Sequence, residues 1–275
     1  MKNLNNNQKT LKKMNKPNNT QRTYFPRTQL KKKSNHLYSN FFRYAYIEEK
    51  KNKKILKPIM TIMKEDNINR EIPGNVVKYR DILKKSVNTC YTIRYKAEKL
   101  LIGSALSPYT GDAMTTLHPI YGVPYIPGSA IKGVVKQYII HEIPDVEQEH
   151  WFKKVFGISN DNTEEDKYGQ GCAIFFDSFP DKAFELAKDV QTPHFSEYYG
   201  SEGEISPTDD LFPIPFNFYV AKNTTFIIQI GFNDNIQEIP DGFKQYIMEA
   251  LTEYGLGGKT SVGYGLAIET KLICD

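Results

Sequence analysis

The chain has 275 residues, of which 40% are hydrophobic and 13% aromatic, which suffices for a packed core in one large domain with an extension. Its three cysteines lie far apart and form no CxxC pair, which disfavours a zinc ribbon and a disulfide scaffold. The sequence shows no secretory signal and no run of about 18 apolar residues, so we expect a cytoplasmic protein that does not enter a membrane.

Charge is divided unevenly along the chain. Residues 1–58 contain 16 Lys and Arg against two acidic residues, a net charge of +14. The remaining 217 residues carry 20 basic and 30 acidic side chains, a net charge of −10, which leaves +4 for the whole chain. A basic arm on an acidic body indicates a polyanionic partner for the arm. The alternative is a compositional bias towards Lys and Asn that serves no partner.

The N-terminal part predicts little regular structure. Residues 1–35 are polar, basic and nearly devoid of core residues, which is typical of a segment that is disordered when unbound. The apolar residues within 39–50 predict a short helix. Further along, we expect a helix over 76–87 that leads into a strand over 90–95.

From Ala97 onward the pattern is clearer. We predict a strand over 97–106, a hairpin or extended loop over 118–128, and a helix with Ser129 as its N-cap. The later predicted elements are strands over 172–176, 216–220, 225–232 and 265–273, and a helix that Asp241 caps and Gly255 ends. This order of elements is compatible with an elaborated ferredoxin-like α+β sandwich.

The start of the helix that Ser129 is predicted to cap is a candidate anion-binding site. With Ser129 as the cap, Lys132 lies in the first turn, where a cation opposes a helix dipole that favours anions by about 0.3–1 kcal/mol. A bound phosphate would remove this conflict, because free backbone N–H groups, the dipole and Lys132 would then act together. Lys136 follows one turn later on the same polar face. A solvated surface lysine is the alternative interpretation.

The second candidate is the glycine-rich segment 255–265, which has five glycines in eleven residues around Lys259, Thr260 and Ser261. Glycines allow the backbone to approach a ligand closely and to expose N–H groups. A nucleotide-binding P-loop would need glycine where Glu253 stands and would precede a helix, whereas this segment follows one, so we exclude ATPase and GTPase activity. A purely structural turn remains the alternative, but two phosphate-binding loops on one domain suit a nucleic-acid strand better than a small ligand.

These segments resemble a known family. Residues 118–133 (HPIYGVPYIPGSAIKG), 155–157 and 255–265 resemble the RAMP superfamily of CRISPR-associated proteins. The connector at 194–199 and 207–215 is similar to the sixth-subunit family of the Cmr (type III-B) effector complex.

The resemblance covers residues 97–275 and carries several implications. It implies an RRM-like ferredoxin fold with insertions, to which we assign residues 59–275. The basic, partly disordered extension 1–58, with its short helix, lies outside the resemblance and follows from composition and charge. The resemblance also implies a non-catalytic structural subunit that holds the 3′ part of the guide RNA, beside backbone, small and capping subunits, with target RNA as a further candidate partner. No cofactor, metal site or catalytic residue is expected. The implied RNA-binding residues are Gly128, Ser129, Lys132, Gly133 and Lys136 at the helix start, and Gly257, Gly258, Lys259, Thr260 and Ser261 in the glycine-rich loop.

Other functions stay open at this point. A RAMP endoribonuclease that processes precursor guide RNA would use His118 as general base, with Tyr121 and Lys132 as accessories. Asp112 lies in a loop, as does the catalytic Asp of related backbone subunits, but the surrounding sequence offers it no second partner. A protein-interaction module would instead use aromatic residues such as Phe216 as interface anchors.

Overall fold

A computed structural model describes the fold over residues 36–39, 45–50, 53–58, 67–103, 105–106, 113–157, 169–192, 198, 200–201, 204, 206, 208, 215–233 and 239–274. The predictions for residues 1–35, for Asp112 and for most of the connector that resembles the sixth-subunit family lie outside these residues. None of the described helices is long and apolar enough to cross a lipid bilayer.

The described elements follow one another as a mixture of strands and helices. The strands are β1 (Ala45–Lys50), β2 (Lys53–Pro58), β3 (Asn67–Glu71), β4 (Thr89–Ala97), β5 (Lys99–Leu100), β6 (Ala105–Leu106), β7 (Ala113–Met114), β8 (Ala173–Phe175), β9 (Phe179–Pro180), β10 (Ala183–Gln191), β11 (Phe216–Lys222), β12 (Thr225–Phe232) and β13 (Ala267–Cys274). The helices are α1 (Gly74–Lys85), α2 (Gly128–Glu142), α3 (His150–Phe156) and α4 (Phe243–Glu253), with short 3₁₀ turns at Val146–Gln148 and Thr260–Val262.

The first sheet has the strand order β13-β4-β12-β8, and all its pairs are antiparallel. Helices α2 and α4 pack against each other, α2 against β8 and α4 against β13. On β4, Tyr91, Ile93 and Tyr95 belong to the main core, while Cys90 and Thr92 on the other side of the strand are buried too. This central strand is therefore covered on both faces.

The second sheet has the order β3-β10-β11-β7-β6, with β5 also paired to β11. Its pairs are antiparallel except β7 with β11, which is parallel. One face contributes Leu186 and Tyr219 to the main core. The opposite face carries a smaller apolar cluster of Leu101, Phe218 and neighbouring residues, against which Tyr264 packs. The glycine-rich loop thus lies on the outer face of this sheet.

The structure corrects two predictions in the N-terminal half. The short helix over 39–50 is wrong for Ala45–Lys50, which form β1 and pair with β2 in antiparallel register. Tyr46 and Ile47 favour a strand, and a partner strand nearby decides the outcome. The single strand over 97–106 is also wrong, because Gly103 at φ +62° separates β5 from β6.

Both predicted helix caps differ from the observed ones. Helix α2 begins at Gly128, one residue before the predicted cap Ser129, and its N-cap is Pro127. The early start is stabilised because the Gly128 N–H donates to the Asp177 carboxylate at 2.8 Å. Helix α4 has Gly242 rather than Asp241 as its N-cap. Its other end is confirmed, since Gly255 follows the helix with φ +67°.

The two glycines of α2 should respond in opposite directions to alanine. A Cβ atom at Gly128 would lie 1.9 Å from the Phe175 carbonyl oxygen, whereas none of the described atoms lies within 4 Å of one at Gly133. We expect Gly128→Ala to lower the free energy of unfolding by more than about 1 kcal/mol. Gly133→Ala should raise it by about 0.5–1 kcal/mol, because alanine restricts the unfolded chain. Urea denaturation of both variants checks this, and equal stabilities would contradict the packing described.

Candidate nucleic-acid interface

The glycine-rich loop is fixed at both ends by backbone hydrogen bonds. The Leu256 N–H donates to the Gly265 carbonyl at 2.9 Å, and the Gly265 N–H donates to the Lys99 carbonyl at 2.6 Å. In the middle, the Gly258 N–H donates to the Leu101 carbonyl at 2.8 Å. The loop is therefore tied to β5 and to the segment after it.

Close backbone packing explains why this loop is rich in glycine. A Cβ atom at Gly257 would come within 2.4 Å of the Leu101 carbonyl oxygen, and one at Gly265 within 1.8 Å of the Leu256 carbonyl oxygen. Both glycines also have positive φ, at +89° and +66°. Lys259 adopts φ +63°, a left-handed conformation that is uncommon for a residue with a side chain.

The tip of the loop presents three consecutive backbone N–H groups. Within the described residues, no acceptor is found for the N–H groups of Lys259, Thr260 and Ser261, although the neighbouring amides are bonded. Lys259 is left-handed and leads directly into the 3₁₀ turn Thr260–Val262, so these groups form the kind of concavity that binds anions. The hydroxyls of Thr260 and Ser261 add two further donors. This arrangement can bind one phosphate oxygen or more.

Two lysines at this loop contact aromatic rings. The Lys259 ammonium lies 4.9 Å from the centre of the Phe218 ring and 5.8 Å from that of Tyr264. The Lys99 ammonium lies 5.6 Å from the centre of the Tyr264 ring. Such cation–π contacts hold both ammonium groups near the Tyr264 ring.

One carboxylate, that of Asp189, contacts Lys99 and Tyr264. Asp189 on β10 accepts hydrogen bonds from the Lys99 ammonium at 2.8 Å and the Tyr264 hydroxyl at 2.6 Å. Burial alone would raise the pKa of Asp189, but the hydrogen bonds from Lys99, Tyr264 and the Val190 N–H outweigh it and lower the pKa. Burial and this carboxylate raise the pKa of Tyr264 to about 12, so its hydroxyl stays a donor.

At the start of α2, the other predicted RNA-binding segment, the Gly128 amide and the Lys132 ammonium already donate hydrogen bonds within the protein. The Gly128 N–H is bonded to Asp177, and the Lys132 ammonium donates to the Phe156 carbonyl at 2.8 Å. Burial, and then the charge of Lys136, lower the pKa of Lys132. The Lys136 ammonium lies 5.7 Å from the centre of the Phe152 ring.

The two predicted sets of RNA-binding residues contact different parts of the fold. Gly128 and Lys132 contact the segments at the ends of β8 and α3, while Ser129 and Gly133 are exposed. Gly257, Gly258 and Lys259 contact the second sheet and the segment after β5. Only the second set presents a run of consecutive unpaired amides among the described residues.

His118, the candidate general base, is packed among aromatic rings. Its ring stacks on Tyr121 with centroids 4.7 Å apart and meets Phe179 edge-on at 5.3 Å. Its Nδ1 accepts from the N–H groups of Ile120 and Tyr121, both at 3.3 Å. Burial lowers the pKa of His118, although the charge of Asp177 opposes this change.

Sequence reasoning missed four residues of the glycine-rich site, namely Lys99, Asp189, Phe218 and Tyr264. Tyr264 lies inside the motif, so its position between two glycines was an available signal. The others come from distant strands, and only strand pairing brings them together. Among the described residues, no group of three or more His, Cys, Asp or Glu side chains could hold a metal ion.

Comparison with known proteins identifies the family. Residues 96–268 match the model of the RAMP superfamily, which is more than half of the chain. The chain therefore belongs to the RAMP superfamily, as its motifs predicted.

Within that superfamily, the chain resembles Cmr6. It is 27% identical over 248 residues to the CRISPR system Cmr subunit Cmr6 of Pyrococcus furiosus, covering 70% of this chain and 72% of that protein. It is 28% identical over 202 residues to the Cmr6 subunit of Saccharolobus solfataricus, covering 70% of this chain and 63% of that protein. The fold is shared by a chain in the solved structure of the Type III-B Cmr-beta complex bound to cognate target RNA. The TM-score is 0.54 and the identity 24%, and the match covers 73% of this chain and 67% of that chain.

The Asp189 cluster predicts a pH-dependent contribution to stability. The folded-state pKa of Asp189 is lowered, so its stabilisation is present above the unfolded pKa of about 3.9 and is lost as the pH falls through the folded value. We expect Asp189→Asn to be less stable than wild type near neutral pH and the difference to shrink below about pH 4. Denaturant unfolding of both proteins across this range checks the prediction, and a difference independent of pH would contradict it.

Proposed function

We propose that this protein is a non-catalytic guide-RNA-binding subunit of a type III-B Cmr effector complex. Its resemblance to two Cmr6 subunits supports membership of such a complex. Guide RNA is the proposed ligand of the glycine-rich loop, with target RNA as a further candidate. Backbone, small and capping subunits of the complex are the proposed protein partners.

The three consecutive amides of Lys259, Thr260 and Ser261 carry this proposal. Backbone N–H groups bind phosphate oxygens without reading the base. A guide strand varies in base sequence while its sugar–phosphate backbone does not, so this form of recognition suits it. The Lys259 ammonium supplies positive charge that a polyanion requires, and Lys99, which is paired with Asp189, adds a smaller contribution.

The arrangement of the first sheet also supports RNA binding at the loop. Along the chain, the elements of this layer follow one another as β4, α2, β8, β12, α4 and β13. In space, the strands have the order β13-β4-β12-β8. Both orders are those expected of a ferredoxin-like, RRM-like fold with insertions. In an RRM, bases stack on the open face of the sheet. Here α1 packs next to that sheet, since buried Gln229 of β12 donates to the Arg80 carbonyl at 3.2 Å. Binding of RNA through loops is therefore more favourable here than stacking of bases on the sheet.

The surroundings of His118 support the non-catalytic part of the proposal. A general base needs a free lone pair directed at the proton that it removes. The Nδ1 lone pair of His118 is directed at the Ile120 and Tyr121 amides, and the ring is packed against Phe179. The accessory candidate Lys132 donates to the Phe156 carbonyl. These contacts favour a structural role for both residues.

The basic extension 1–58 provides a second proposed contact with RNA or with a neighbouring subunit. Its net charge of +14 is attracted to phosphates, while the rest of the chain is acidic. Binding that depends on this extension should decrease steeply as the salt concentration rises.

Replacing Lys259 tests the proposed function. We expect Lys259→Ala to weaken binding of a labelled single-stranded guide-like RNA by roughly 3- to 10-fold and to reduce the slope of log affinity against log salt by about 0.7, because one phosphate contact is lost. Lys132→Ala should have a smaller effect, since its ammonium already donates to the Phe156 carbonyl. The exposed Lys78 on α1 offers a matched control, because Lys78→Ala removes the same charge away from the loop.

Two results would contradict the proposal. The first is an equal loss of affinity in Lys78→Ala and Lys259→Ala, which would show that only total charge matters. The second is specific cleavage of the RNA, with and without divalent metal, that disappears in His118→Ala. That result would identify a RAMP endoribonuclease that processes precursor guide RNA.

A further inference from the structure

Asp189 is an unexpected residue beside a loop that is proposed to bind a polyanion. Its carboxylate lies 2.8 Å from the Lys99 ammonium, and its side chain is 21% exposed. A negative charge at this position repels phosphate groups and partly neutralises Lys99. If electrostatics alone mattered, a neutral residue would serve RNA binding better.

The hydrogen bonds of Asp189 suggest why a carboxylate is present. One oxygen, Oδ2, accepts from both the Lys99 ammonium and the Tyr264 hydroxyl, while Oδ1 accepts from the Val190 N–H at 2.9 Å. Ionised acceptors form stronger hydrogen bonds than neutral ones do. Asp189 thus joins three segments that are distant in sequence: β5, β10 and the glycine-rich loop.

Tyr264 transmits this constraint to the tip of the loop. Its N–H donates to the Lys259 carbonyl at 3.2 Å, and its ring lies 5.8 Å from the Lys259 ammonium. The same ring packs near Phe218, with centroids 6.2 Å apart. A Tyr264 ring that moved would therefore remove one of the two aromatic contacts of the Lys259 ammonium and disturb the backbone that bonds to Lys259.

We propose that Asp189 is a positioning residue: it fixes Tyr264 and Lys99 so that Lys259 and the amides of Thr260 and Ser261 face a phosphate group. This inference rests on the proposed function of the loop. The repulsion between Asp189 and RNA is offset because a preorganised loop loses less conformational freedom on binding.

The direction in which Asp189→Asn changes the affinity for RNA distinguishes a positioning role from simple repulsion. Asp189→Asn removes the negative charge and keeps a side chain of similar size. We expect it to weaken binding of single-stranded RNA to the full chain roughly 3- to 10-fold, since the amide is a weaker acceptor for Lys99 and Tyr264. Tighter binding by Asp189→Asn would overturn the proposal, because the carboxylate would then act only through repulsion.

Asp181→Asn is a matched control for the lost charge. Asp181 is 25% exposed and pairs with Arg80 at 3.7 Å and Arg94 at 3.4 Å, on a different part of the fold. We expect this variant to bind RNA as tightly as wild type or slightly more tightly. A loss of affinity equal to that of Asp189→Asn would overturn the proposal, because general destabilisation would then explain both results.

A double-mutant cycle tests whether Asp189 acts through Lys259. In the Lys259→Ala background, Asp189→Asn should weaken RNA binding by a smaller factor than in the wild-type chain, because one of the groups that Asp189 positions is already absent. Fully additive losses would overturn the proposal. Tyr264→Phe, which keeps the ring and removes the hydroxyl, should reproduce part of the effect of Asp189→Asn.

Amide hydrogen exchange without RNA separates the positioning role from the proposed function. We expect the Gly258, Tyr264 and Gly265 amides to exchange faster in Asp189→Asn than in wild type, with no change in α2. Unchanged exchange in the loop would overturn the positioning role. If the wild-type chain bound no RNA while the loop still loosened in Asp189→Asn, the proposed function would fail and the structural part of the inference would stand.

Discussion

The backbone of Gly265 is the point on which the candidate site depends. Its carbonyl accepts from the Leu256 N–H at the start of the loop and from the buried Tyr95 hydroxyl of β4, while its N–H donates to the Lys99 carbonyl of β5. Gly265 therefore joins the loop to strands of both sheets. It does so at φ +66° and with the Leu256 carbonyl 1.8 Å from where a Cβ atom would lie, so no other residue fits without a shift of the backbone.

The two candidate RNA-binding segments differ in whether a group of the protein accepts hydrogen bonds from their backbone amides. At α2 the protein supplies its own anion, because the Asp177 carboxylate accepts the first N–H and so stabilises the helix start. At the glycine-rich loop the nearby carboxylate, Asp189, accepts from the Lys99 ammonium, the Tyr264 hydroxyl and the Val190 N–H, and from none of the amides of residues 259–261. A similar chemical pattern in the sequence thus leads to a packing role at one loop and to a candidate ligand site at the other.

Local patterns were sufficient to predict part of this structure. The strand Thr225–Phe232 and the end of α4 at Gly255 follow from an apolar run and a single glycine, and both are confirmed. Strand β10 was missed because Lys188 and Asp189 give it a polar sequence, and only its pairing with β3 and β11 makes it a strand. The contact between Asp189 and Lys99 spans 90 residues, so no local pattern could reveal it.

Amide hydrogen exchange of the wild-type chain, with and without a single-stranded guide-like RNA, tests the central claim most directly. If the loop binds phosphate through its backbone, the amides of Lys259, Thr260 and Ser261 should exchange more slowly in the presence of RNA. The first turn of α2, where Asp177 already occupies the Gly128 amide, should change less. Bound RNA with unchanged exchange at residues 259–261 would contradict the account.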